Sequence, residues 1–119
     1  MKKEITVDGV VYVPTNQKKA KDKDGLKYVI VRTYSAGVFA GYLESREGKE
    51  VVMREARRLW YWAGSASLSE LAVSGVGKPN DCKFPCEVDK IELTEAIEIL
   101  TCTELAQESI KKVPVWTAQ

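Results

Sequence analysis

Runs of β-branched and aromatic residues separated by turn signals fill much of the first half of the chain, and the last of them alternates hydrophobic and polar positions with a period of two, which predicts strands. Ile5–Val7 and Val10–Val13 flank Asp8-Gly9, a dipeptide suited to the positive φ angles of a tight turn, and read as a hairpin that Pro14 stops. Residues 15–25 are polar and lysine-rich, with only Ala20 as an apolar anchor, and predict a mobile loop. β-Branched and aromatic residues return in Lys27–Tyr34, followed by a turn at Ser35-Ala36-Gly37 and a returning strand at Val38–Leu43. After a turn at Arg46–Lys49, a third strand is predicted from Val51 through Trp62. Its last part places Arg58, Trp60 and Trp62 on one face and Arg57, Leu59 and Tyr61 on the other.

The second half mixes periods. Ser67 with Glu70 fits a capping box, Leu68, Leu71 and Ala72 form a short apolar helical stripe, and Gly75 is a natural stop. Ile91–Leu100 fits either a strand face or, over its last seven residues, a helix. Thr101 with Glu104 suggests a second capping box and a helix to about Lys112, ended by Pro114. The expected architecture is α+β: an antiparallel β-sheet meander with two short helices in one ligand-binding domain, residues 1–119. Helices this short cover a sheet poorly, so the C-terminal helix is expected to pack in a homo-oligomer.

Charge changes the picture only by its distribution. The net charge is +1, which recruits neither DNA nor an anionic membrane, yet all five arginines lie between Arg32 and Arg58. Residues 81–108 carry eight acids against Lys83 and Lys90, so an anionic ligand would meet the first half of the chain. Three cysteines form no even disulfide framework, the start of the chain does not resemble a signal peptide, and the longest apolar run is too short for a membrane span. A cytoplasmic setting is expected.

Catalysis finds little support. The chain has no histidine, and therefore neither a common nucleophile triad nor an easy proton shuttle near neutral pH. Cys82 and Cys86 lack a second ligand pair for a metal, and no glycine-rich phosphate loop opens a helix. No cofactor is expected. The best candidate site is Arg57-Arg58-Leu59-Trp60-Tyr61-Trp62. A guanidinium fork binds phosphate oxygens in pairs and rings stack on bases, while the alternative is that the tryptophans are core and the arginines lie over it. Since Trp60 and Trp62 then share the core face with Arg58, Arg57 is expected to face the ligand. The turn Tyr34-Ser35-Ala36-Gly37 and the loop Lys78-Pro79-Asn80 can supply hydroxyl, backbone N–H, cation and amide contacts.

The runs Val31–Val38, Ala56–Trp62 and Lys78–Phe84 resemble those of small phage and prophage proteins, the first family of Thoeris anti-defence proteins, over roughly residues 26–116. The resemblance implies a sponge that sequesters cyclic ADP-ribose isomers, glycocyclic ADP-ribose among them, without cleaving them. It implies dimers or larger assemblies, capture of cyclic oligonucleotides by some members, and ligand contacts at Arg57, Arg58, Tyr34, Ser35, Gly37, Lys78, Asn80 and Phe84. If the chain is phage-encoded, the host cell cytoplasm is the implied compartment. The chain departs from the pattern in having no arginine after Arg58, which leaves Lys111 or Lys112 for a phosphate clamp at the C-terminal helix. The competing expectation is a small phage structural or adaptor module whose exposed aromatics dock a protein.

Overall fold

A computed structural model describes residues 5–7, 10–12 and 18–118. Strands β1 (Ile5–Val7) and β2 (Val10–Tyr12) pair antiparallel as expected; the Asp8-Gly9 turn and Pro14 lie outside the described residues. The main sheet holds β3 (Lys27–Thr33), β4 (Val38–Glu47), β5 (Glu50–Arg58), β6 (Glu87–Leu93) and β7 (Ala96–Thr101) in the order β6-β5-β4-β3-β7, every pair antiparallel. Helices α1 (Leu68–Ser74) and α2 (Glu104–Lys112) complete an α+β fold. No helix among the described residues is long and apolar enough to cross a membrane.

The alternatives for residues 91–100 resolve to strand, broken by a link at Thr94-Glu95 where the sequence pattern is interrupted. That link dictates the shape of the sheet. β6 and β7 occupy opposite edges, about 19 Å apart in a flat five-strand sheet, yet the peptide bonds from Leu93 to Ala96 reach only about 11 Å. The sheet must therefore coil, and the Ala96 N–H donates to the Lys49 carbonyl (3.0 Å), joining the β4–β5 tip to the start of β7.

Coiling separates two cores. Val29, Val31, Phe39, Val51, Met53, Leu93 and Ala96 fill the concave side. Tyr28, Ile30, Ala40 and Tyr42 face outward, where Leu59, Leu71, Phe84, Ala106 and Ile110 cover them. A bulge sets which side each β5 residue takes. Between the pairs Ala40↔Arg57 and Tyr42↔Arg54, β4 contributes only Gly41 while β5 contributes Glu55 and Ala56. Glu55 is held at φ 49°, and a Cβ on Gly41 would stand 2.8 Å from the Ala56 Cα, so only glycine fits opposite the bulge. The extra residue turns Ala56 inward and sends Arg57 to the helix side.

Three expectations need correction. The third strand ends at Arg58, because the Leu59 N–H donates to the Val38 carbonyl and the Trp60 and Tyr61 N–H groups turn to the Lys83 carbonyl. The second helix is capped by Thr103, whose hydroxyl accepts from the Ala106 N–H, since Thr101 still belongs to β7. Within the expected mobile loop, residues 18–25 are tied down. Ala20 N–H donates to the Cys102 carbonyl and packs on the helix-side core, Lys21 exchanges two hydrogen bonds with the Gln107 amide, and Lys18 and Lys21 pair with Glu104.

Candidate functional site

Arg57 and Arg58 leave β5 in opposite directions, as adjacent strand residues must. Arg57 points among the helices and is only 4% exposed. Its Nε donates to the Pro85 carbonyl (2.8 Å), Nη1 to Ile110 (2.9 Å), and Nη2 to Phe84 (3.0 Å), Val113 (2.7 Å) and Pro114 (3.0 Å). Carbonyls at the end of a helix lack intrahelical partners and carry negative partial charge, so the guanidinium closes the C-terminus of α2. Burial lowers the Arg57 pKa from the ordinary arginine value, while its hydrogen bonds to five carbonyls offset part of the cost of burying the charge. The expectation that Arg57 faces a ligand is thus corrected: its nitrogens are occupied by the fold. Phe84 lies under that guanidinium at 5.4 Å and is fully buried, a core residue and not a ligand contact.

Arg58 is the exposed partner. Its guanidinium lies 4.5 Å over the Phe39 ring at the mouth of the concave core, and Nη1 donates to the Ala36 carbonyl (2.6 Å). That carbonyl belongs to a turn built locally. Thr33 Oγ1 donates to the Gly37 carbonyl (2.7 Å) and accepts from the Ala36 N–H (2.9 Å), while Gly37 takes φ 106°, open only to glycine at low cost. Between turn and strand end lies an open cleft of about 650 Å³, lined by Ser35, Gly37, Arg58, Leu59, Trp60 and Trp62 among others.

The structure therefore brings Ser35, Gly37 and Arg58 together with Trp60 and Trp62. Tyr34 stands beside the turn with its ring exposed and its N–H donating to the Glu95 carbonyl, and Ser35 Oγ donates to the Glu95 carboxylate (3.3 Å). Lys78 and Asn80 are exposed on a separate loop, tied to Ala63 through the Lys78 N–H, and are not walls of the cleft. Lys111 lies 4.9 Å over the Tyr42 ring on the helix-covered side. A smaller recess of about 160 Å³ beside Glu55 is lined by charges already paired with one another, Lys23 with Glu55 and Arg54 with Asp89.

The cysteines occupy unlike surroundings. Cys82 is buried, its Sγ accepting from the Ala63 N–H (3.3 Å), whereas Cys86 is exposed. Burial pushes the Cys102 thiol up to about 12.

Sequence reasoning missed a second surface. Trp60, expected in the core, is 60% exposed and stacks on Trp116, with ring centroids 5.3 Å apart and planes at 12°. Lys83 Nζ lies 5.3 Å from the Trp60 ring, 5.6 Å from Trp116 and 5.9 Å from Tyr61. The three segments are knitted by backbone: Trp60 and Tyr61 N–H to the Lys83 carbonyl, and Trp116 N–H to the Phe84 carbonyl. These contacts join residues far apart in the chain, so no local pattern announces them.

A family model described as a domain of unknown function, DUF6948, matches residues 26–110. The chain belongs to this family. The DUF6948 match spans the whole five-strand sheet, both arginines and the cleft, and ends before Val115 and Trp116. Comparison with curated proteins and with solved structures finds no match.

Proposed function

We propose that this DUF6948 protein is a non-catalytic binding domain that captures a cyclic nucleotide signal, a cyclic ADP-ribose isomer such as glycocyclic ADP-ribose or a cyclic oligonucleotide, and holds it uncleaved. The observation that carries the reading is the exposed Arg58 guanidinium at one wall of the cleft, facing a glycine turn and flanked by Trp60 and Trp62. A guanidinium with one carbonyl partner keeps donors for phosphate oxygens, and indole faces stack on purines. The cleft volume suits a ligand of nucleotide size. The sequence resemblance to the first family of Thoeris anti-defence proteins supports the same ligand class, and with it a cytoplasmic setting and self-association. The absence of histidine from the chain favours capture over turnover.

Calorimetry with a panel of cyclic ADP-ribose isomers and cyclic oligonucleotides tests the reading. At least one member should bind the parent, bind Arg58→Ala much more weakly, and be recovered intact on heating. A panel that leaves the parent silent, or a ligand recovered hydrolysed in proportion to protein, overturns it.

A further inference from the structure

We propose that the surface formed by Trp60, Tyr61, Lys83, Val115 and Trp116 is a docking site for a protein segment that presents a carboxylate between apolar side chains. This goes beyond the cleft reading and does not depend on it. Trp60, Tyr61, Val115 and Trp116 are all large, apolar and exposed. Contiguous exposed aromatics of this kind mark interaction sites, and Trp and Tyr dominate the binding energy of interfaces.

Rigidity is the second argument. The Arg57 guanidinium holds the Phe84, Val113 and Pro114 carbonyls, so the strand end and both loops that carry the aromatics are braced from beneath. A surface fixed before binding loses little freedom on docking.

Charge and area choose the occupant. Lys83 sits at the centre of the three rings, and among the described residues no carboxylate pairs with it. An ammonium ringed by apolar surface asks for one anion surrounded by apolar groups. A second copy docking by a two-fold axis through this patch would set Lys83 against Lys83, a like-charge contact. The four exposed side chains offer on the order of 400 Å², about half of what each partner gives a standard protein interface and enough for one short segment. Single-stranded nucleic acid would need a row of cations along its phosphates, and Lys83 alone supplies one.

The test pans a random displayed peptide library on the full chain and on Lys83→Glu in parallel. The parent should enrich peptides with Asp or Glu flanked by aliphatic or aromatic residues, and Lys83→Glu should not. Resynthesised peptides should bind Trp116→Ala at least about tenfold more weakly, with both variants melting near the parent. The proposal is overturned by enrichment of acid-free peptides, by peptides that bind Lys83→Glu equally well, or by no enrichment. It is also overturned if light scattering shows a parent dimer that Trp116→Ala dissolves, or if an oligothymidylate probe binds the parent and not Trp116→Ala. Lys83 is half-buried, lies outside the core and has no carboxylate partner among the described residues, so Lys83→Glu, checked by its melting temperature, reports even if Trp116→Ala loosens the C-terminal segment.

Discussion

Arg57 and Arg58 are neighbours in the chain and opposites in the structure: one guanidinium is buried among five backbone carbonyls, the other lies open over Phe39 beside the cleft. The Glu55 bulge creates that division by fixing which residue turns toward the helices. Arg57→Ala should strand several carbonyls and remove the closure of α2, costing about 3 kcal/mol and lowering Tm by roughly 10–15 °C. Arg57→Lys, with three donors on one nitrogen, should recover only part of this. Urea unfolding with an unchanged m-value is the measurement; a midpoint within error of the parent for Arg57→Ala would contradict the assignment.

The bulge itself can be probed from both strands. Gly41→Ala drives a methyl into the Ala56 backbone and should destabilise by about 1–3 kcal/mol. Glu55→Gly relieves a left-handed residue and loses only a surface pair with Lys23, so it should be neutral or stabilising by up to about 1 kcal/mol. The opposite signs of these two glycine exchanges are the expected result.

Much of this fold was legible from residue patterns, and the errors have physical causes. β-Branched and aromatic runs located β3 and most of β4 and β5. The face grouping of Arg58 with Trp60 and Trp62 failed beyond the strand end at Arg58, although all three line the cleft. Trp62 packs on the helix-side core with Leu59, and Trp60 and Tyr61 both meet Lys83. Alternation also could not say which face was buried. Tryptophans are ordinarily the better core candidates, but here the Leu59 side faces the helices and the Trp60 side faces solvent. Arg57 was misassigned for the same reason: its carbonyl partners come from residues 84–85 and 110–114, contacts that only the folded chain brings together. The glycine turn was read correctly because its chemistry is local, within Thr33–Gly37.

Burial of Cys102 predicts alkaline instability. Its thiol stays protonated in the folded state to about 12, whereas an exposed thiol ionises near 9. A raised folded pKa means the neutral form's stability is whole below the unfolded value and is lost as pH climbs from about 9 toward about 12. The buried Tyr28 phenol, also shifted upward by desolvation, adds to the loss above about 10. Tm measured across pH 8–11 should fall, and less steeply for Cys102→Ala. In the native state a thiol reagent should modify Cys86 quickly and Cys82 and Cys102 slowly; equal rates would contradict the burial pattern.

Trp60 belongs to both surfaces, as a wall of the cleft and as the stacking partner of Trp116. Arg58, in contrast, belongs to the cleft, and Trp116 to the aromatic patch. Arg58→Ala should weaken a bound cyclic nucleotide by about 1.5–3 kcal/mol, the scale of hydrogen bonds to a charged group, while melting near the parent and leaving acidic peptides bound. Trp116→Ala should do the reverse. Trp60→Ala should weaken both ligands, and the effects of Arg58→Ala and Trp116→Ala on either ligand should add without coupling if the two sites act independently. Calorimetry of the three variants against both ligand types separates the cases. Should Trp60→Ala leave nucleotide affinity intact while Arg58→Ala abolishes it, the phosphate contact stands and the stacking contact does not. Should Arg58→Ala weaken peptides as strongly as nucleotides, the two surfaces are one site and the division drawn at Trp60 is wrong.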